Sequence, residues 1–323
     1  MKQKESGDGM AIKEKKQRTA VDKTSLLHHV KKEWRLYSFL VIPIIYYVIF
    51  KYIPVLGNVI AFRRYKGGAS IFGDYFVGLR YFKQFIGDPD FWRAFFNTLR
   101  LSIGYLAVRF PATLIFALLI NEIRTLNWKK VVQTISYLPH FISLIVVCGM
   151  VKEMLSLTGP VNGLLSAMGL EKIAFLSEPA YFDMIYIVSG VWQALGWGTI
   201  LYLTAMTNIN MELYEAAAID GAGRFKQALY VTLPGILPTI MTLLILDIGN
   251  IITSGNMQKI LLLYNPLTQN RADIIGTYVY RMGIAGGNFS YAAAVGLFEG
   301  VIGLILVTAA NKLSKKFTET SLW

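Results

Sequence analysis

Glu215-Ala-Ala-Ala-Ile-Asp-Gly-Ala-Gly-Arg-Phe-Lys-Gln-Ala-Leu-Tyr-Val-Thr-Leu-Pro234 is a polar stretch set between two long apolar runs. Its local signals predict a helix from Met211 to Asp220. Asn210 stands at the N-cap, Glu212 favours the positive end of the helix dipole, and Gly221 supplies a left-handed stop. Arg224 to Tyr230 then forms a second helical piece leading to Pro234, a residue suited to opening a new helix. Helix, glycine turn and helix between two apolar runs make a compact knob. That is a shape for docking, not for catalysis.

The surrounding chain is a membrane protein. Of its 323 residues, 54% are hydrophobic and only 16% charged, and the mean hydropathy is +0.46. No Asp, Glu, Lys or Arg interrupts the 21 residues from Val131 to Val151, or the 28 from Met184 to Met211. About 20 apolar residues cross a bilayer as a helix. Six spans are expected, at about Leu36–Phe62, Phe95–Asn121, Val131–Leu155, Phe182–Asn208, Gly235–Ser254 and Tyr291–Asn311. The fold class is therefore an all-α membrane protein with six transmembrane helices. Residues 1–34 read as a basic cytoplasmic tail with no signal-peptide pattern, and residues 35–323 as the membrane domain.

The net charge of +12 lies at membrane flanks, with no arginine-rich helix, zinc pair or aromatic RNA-binding motif, so no nucleic-acid partner is expected. With the N-terminus inside, 18 Lys and Arg fall in cytoplasmic segments and 11 in external ones. Arg63, Arg64 and Lys66 run against this bias. It still favours both termini, and the 209–234 loop, on the cytoplasmic side. Ser156–Pro179 and Met257–Ser290 become external segments, where small interfacial helices are expected. Cys148 is the only cysteine, which excludes an intrachain disulfide, and His28, His29 and His140 are not spaced as a metal cluster. His140, beside Pro139 in an apolar run, reads as a packed or pore-lining residue.

Glu215-Ala216-Ala217, three residues, Gly221, nine residues, then Val231-Thr232-Leu233-Pro234 resembles the EAA loop of binding-protein-dependent ABC importer permeases. The only departure from that pattern is Val231 in place of Ile. Leu118–Arg124, Tyr137–Ser143, Gly190–Gln193, Ala272–Tyr280, Gly287–Gly296 and Ser321-Leu-Trp323 are similar to the complex-polysaccharide (LplB-like) branch of the carbohydrate-uptake type. The resemblance runs from about Trp34 to the end. It implies a multi-pass subunit of the bacterial cytoplasmic (inner) membrane. The implied partners are a second, homologous permease, two ABC ATPase subunits and an extracytoplasmic solute-binding protein, with an oligosaccharide as substrate. It also places Glu215, Ala216, Ala217, Asp220, Gly221, Leu233 and Pro234 at the ATPase contact. Glu215 would make the polar contact, Ala216 and Ala217 would allow close approach, and Gly221 would make the turn.

No phosphate-binding G-x-x-x-x-G-K-[ST] loop, G-x-S-x-G elbow or H-E-x-x-H helix occurs. The expectation is a non-enzymatic permease with no cofactor of its own, ATP and magnesium being held by the partner ATPase. Arg109, Asp247 and Glu299 lie near the middle of expected spans, where each needs a partner or water. Arg109 has three readings: a pair with Asp247, a pair with Glu299, or a partner for the carboxylate of an acidic, uronate-containing sugar. Trp192, Gln193, Trp197, Asn250 and Asn256 are further candidates for the solute path, since aromatic faces stack on sugar rings and amides bond hydroxyls. Trp near a span end is equally an interfacial anchor. The same permease type serving amino acids, phosphate or glycerol phosphate, and a secondary transporter without an ATPase, are the competing readings.

Overall fold

The computed structural model describes residues 32–66, 70, 72–252 and 257–318. The basic tail up to residue 31, Asn256 and Ser321-Leu-Trp323 lie outside them. The chain divides into two compact units, Met1–Val59 and Ile60–Trp323. Among the described residues the secondary structure is helical, apart from one isolated bridge between Arg63 and Phe76.

In the first unit, α1 (Trp34–Tyr47) passes through a π-helical turn, Val48–Tyr52, into Ile53–Gly57. A proline cannot donate to the carbonyl four residues back and its ring crowds it. The wider turn just before Pro54 takes up that misfit, so the helix continues.

The second unit is built on α3 (Pro89–Asn121) and α7 (Pro179–Thr207). Among the described residues, four helical stretches are long and apolar enough to cross a membrane: Trp34–Phe62, Pro89–Asn121, Pro179–Thr207 and Phe289–Lys316. Two bent pairs bring the number to six when each is one span. The first pair is α4 (Leu126–Phe141) with α5 (Leu144–Met154), bent by 97°. The second is Arg224–Gly235 with α10 (Leu237–Gly249), bent by 65°.

Both bends correct the sequence reading. The straight third span expected from Val131 to Leu155 is broken at Ile142, which is extended at φ −75° and ψ 133°, and Ser143 caps α5 through Val146 N. The carbonyl freed by the break is not left bare: Gln193 Nε2 on α7 donates to Ile142 O at 3.2 Å. Pro234 does not open a helix either. A π turn at Ala228–Thr232 carries the helix through it to Gly235, and the new helix starts at Leu237 with Pro238 in its first turn.

Three buried clusters run along α3, whose 33 residues rise about 50 Å. At its start, Phe85 of α2 (Arg80–Ile86) packs together with Phe91, Ile275, Tyr278 and Tyr291. Farther along, Leu101, Cys148, Phe182, Tyr186 and Ile260 form the second cluster. At its end, Ala117, Ile120, Tyr202, Met206, Ile236 and Ile240 form the third, beside the knob.

Polar clamps fasten the segments at the other end. Asp183 on α7 receives Arg100 from α3 and Arg271 from α12 (Gln269–Ala272), at 3.0 and 2.9 Å. Asp273 is buried and takes Arg281 in a two-pronged pair at 3.1 and 2.7 Å, which holds the guanidinium more basic than usual. Tyr278 hydrogen-bonds Asp88, the N-cap of α3, and Tyr291, and burial pushes its phenol pKa up.

Lys259, on α11 (Met257–Leu263), is 2% exposed. Its Nζ donates to Tyr186 O at 2.8 Å and sits 4.8 Å from the centroid of the Tyr186 ring. Burial lowers its pKa from 10.5 to about 8. The unfolded chain therefore holds the extra proton between those two values, and stability rises with pH across that window. Thermal melting of the detergent-solubilised protein should show this rise from pH 8 to pH 10, and Lys259→Met should flatten it. An unchanged slope in the variant would contradict the buried-ammonium account.

Helices α4 and α7 meet closely at Gly196, where an added Cβ would lie 2.0 Å from Ser136 O. Gly196→Ala should therefore cost about 1–3 kcal/mol through overpacking. Gly163→Ala, in α6 (Pro160–Ala167) with nothing within 4 Å, should be neutral or stabilising by up to about 1 kcal/mol. Paired melting curves check the contrast.

Candidate functional site

Two features have the geometry of working parts. The first is the knob. α8 (Met211–Ile219) starts at Asn210, whose side-chain oxygen accepts from Glu212 N at 3.1 Å while its Nδ2 donates to Glu212 Oε2 at 2.9 Å. It ends at Asp220, and Gly221 follows at φ +75°. Gly221 N donates to Ala218 O at 3.0 Å and Ala222 N to Ala217 O at 2.8 Å. That paired closure needs a left-handed residue, where a β-carbon would be strained.

The return piece, α9 (Arg224–Gln227), is tied back by two bonds. Tyr214 Oη pairs with Thr232 Oγ1 at 2.9 Å, and Gln227 Nε2 donates to Ala222 O at 3.0 Å. Arg224 reaches Glu122 at the end of α3 at 3.8 Å, an exposed pair of small energetic weight. Leu233 is half-buried against the Ala117 and Ile236 cluster, which anchors the knob to the helices.

Glu215, Ala216, Asp220, Gly221 and Pro234 are exposed, and Ala217 is half-buried. The knob also presents two apolar residues that sequence reasoning missed, Ile219 at 86% exposure and Phe225 at 81%. Their signal was their presence in an otherwise polar stretch.

The second feature is a cavity of about 360 Å³ between α3, α7 and α10. Arg109, Thr113, Trp197, Tyr202, Leu243 and Asp247 contribute to its wall. Arg109 Nη2 is paired with Asp247 Oδ2, the two side chains being 24% and 28% exposed. The guanidinium also lies 5.5 Å from the centroid of the Tyr105 ring. Arg109 Nε is buried without a hydrogen-bond partner among the described residues. Trp197, 43% exposed, stacks on His140 with centroids 4.5 Å apart and planes 3° apart.

Arg109, Asp247 and Trp197 are thus brought together, and the other candidates are not. Glu299 does not meet Arg109; its Oε1 is buried without a hydrogen-bond partner among the described residues. Trp192 lines a separate apolar groove with Val147, Met150 and Met184. Gln193 is spent on Ile142 O, and Asn250 Nδ2 donates to Leu246 O at 3.0 Å in its own helix. Asn256 lies outside the described residues.

The description "binding-protein-dependent transport system inner membrane component" belongs to a family model that matches residues 109–319, from the cavity arginine through the knob to the last helix. The chain belongs to this permease family. It is 42% identical over 306 residues to Protein LplB of Bacillus subtilis (strain 168), covering 94% of this chain and 96% of that protein. It is also 42% identical over 289 residues to the polygalacturonan/rhamnogalacturonan transport system permease protein YteP of the same organism, covering 89% and 90%. Among solved structures, it matches a chain of a bacterial alginate ABC transporter in complex with an alginate pentasaccharide-bound periplasmic protein. There the TM-score is 0.83 at 40% identity, covering 91% of this chain and 98% of that one. The permease is therefore an all-helical inner-membrane protein, as its six apolar stretches indicate.

Inside the permease the Arg109–Asp247 pair makes a direct prediction. Asp247→Asn leaves the Arg109 cation without its carboxylate, at a cost of up to about 3–5 kcal/mol, the figure for breaking a fully buried pair. Adding Arg109→Gln to it should restore part of the loss, so the double variant should melt above the Asp247→Asn single variant. Simple additivity in the melting cycle would show that the two side chains are not coupled.

Proposed function

We propose that this permease is the membrane-spanning subunit of an ATP-driven importer of oligosaccharides, with acidic, uronate-bearing chains as the substrate class. Its ATPase is a separate pair of polypeptides that holds ATP and magnesium, its partner in the membrane is a second, homologous permease, and an external binding protein delivers the sugar. The observation that carries the reading is the cavity that combines a guanidinium with an exposed indole. A flat aromatic face suits the apolar face of a pyranose ring, and the Arg109 guanidinium in the cavity wall supplies a cation for a carboxylate. The polygalacturonan/rhamnogalacturonan and alginate relatives support an acidic chain.

The knob supplies the coupling. It faces the cytoplasm, and Glu215, Ile219 and Phe225 seat in a cleft of the ATPase. ATP-driven closure of the ATPase pair drags the cleft, and the knob's paired closure at Gly221 and its Tyr214–Thr232 bond keep it from deforming. The motion then reaches α3 and α10 through Leu233 and Ile236. Opening and closing of the path follows from that rigid-body displacement.

A second reading has its own support. Asp247 already neutralises Arg109, which favours a structural brace and a neutral sugar.

The test is the ATPase activity of the purified complex in lipid, with binding proteins loaded with acidic or neutral oligosaccharides added one at a time. Stimulation by an acidic-sugar-loaded protein is expected, and Glu215→Lys should leave the complex inserted while abolishing that stimulation. Normal stimulation in the variant would contradict the docking assignment. Arg109→Gln should reduce acidic-sugar uptake by about tenfold while sparing neutral sugars, the loss of one charged hydrogen bond. Equal loss for both classes would support the brace.

A further inference from the structure

Trp197 is useful as a sugar platform only if its plane is held, because an exposed indole free to rotate must be ordered anew at each binding event. Resting on the reading above, we infer that His140 is a positioning residue for that platform: the broken end of α4 holds the Trp197 indole from behind and leaves its remaining surface to the cavity.

Three contacts carry this. The His140 ring lies flat on the indole, 4.5 Å away and within 3° of parallel, so one face of Trp197 is covered. Phe141 meets the same indole edge-on at 5.5 Å and 85°, which blocks rotation within the stack. The end of α4 that carries both rings is itself fixed. Gln193 on α7, one turn before Trp197, holds Ile142 O at 3.2 Å, and Gly196 lets Ser136 approach closely. Both rings stand in the last turn of α4, directly before the 97° break at Ile142.

The role requires a flat ring, not an imidazole as such, and that makes it testable. Radiolabelled tetragalacturonate is titrated against the assembled complex in lipid nanodiscs by equilibrium filter binding, for the parent, His140→Ala, His140→Phe and Trp197→Phe. Melting curves accompany each variant, to confirm folding. His140→Ala should raise the half-saturating concentration about two- to tenfold, the range set by one lost ring–ring contact. His140→Phe should return it to within about twofold of the parent, a rescue that a purely structural loss would not give.

Parent-like binding by His140→Ala would overturn the inference, as would a failure of His140→Phe to rescue. Trp197→Phe separates this from the proposed function. If it weakens binding while His140→Ala does not, only the positioning role fails. If it binds like the parent, or if the parent gives no saturable signal, the sugar-platform reading fails and the inference falls with it.

Discussion

Inside a bilayer a polar group has no water to turn to, and that constraint governs how this permease is put together. At the break of α4 and at the cation of Arg109, a neighbouring helix answers the need, whereas Glu299 Oε1 has no hydrogen-bond partner among the described residues. The carbonyl freed at Ile142 is taken by Gln193. The cation of Arg109 is taken by Asp247, and outside the spans the buried Lys259 amine donates to the Tyr186 carbonyl and lies over its ring. Each answer joins segments distant in sequence, so satisfying the backbone and the charges also fixes the packing. The Arg109–Asp247 bond that joins α3 to α10 forms part of the wall of the cavity between them and α7.

The same logic separates rigid parts from working ones. The clamp at Asp183 holds α12 to α3 and α7, the Asp273–Arg281 pair closes within the same loop segment, and the cluster around Ile236 holds the knob to the ends of α3 and α7. Between them lies the cavity, with a half-exposed ion pair and a half-exposed indole. Exposed apolar residues on the knob, Ile219 and Phe225, have no core to join and suit a protein surface. A stiff knob at one end and a cavity with a charged pair partway along share the same two long helices.

Much of this was legible in the sequence, because the signals are local. Asn210 as an N-cap and Gly221 as a left-handed stop need only their neighbours, and both occupy those positions. The six apolar stretches follow from composition alone. What could not be read was set by tertiary partners. Ile142 lies in a window with no charge, so hydropathy passes straight over the break, and only Gln193, 51 residues away, makes the extended conformation affordable. Pro234 looked like a helix start because a π turn before a proline has no sequence signature. Arg109 left three possible partners open, and only the packing of α10 against the cavity selected Asp247. Trp192 and Trp197 share one helix and one residue type. Their neighbours alone place the first on an apolar groove and the second beside the guanidinium.

The central claim is that the sugar passes through the cavity formed by Arg109, Trp197 and Asp247. The most direct measurement is a cryo-electron microscopy structure of the assembled transporter, trapped with an oligouronate in the membrane. The account predicts a sugar ring against the Trp197 indole and a carboxylate within hydrogen-bonding distance of Arg109. An oligouronate held elsewhere in the membrane region, with this cavity empty and the Arg109–Asp247 pair undisturbed, would contradict it.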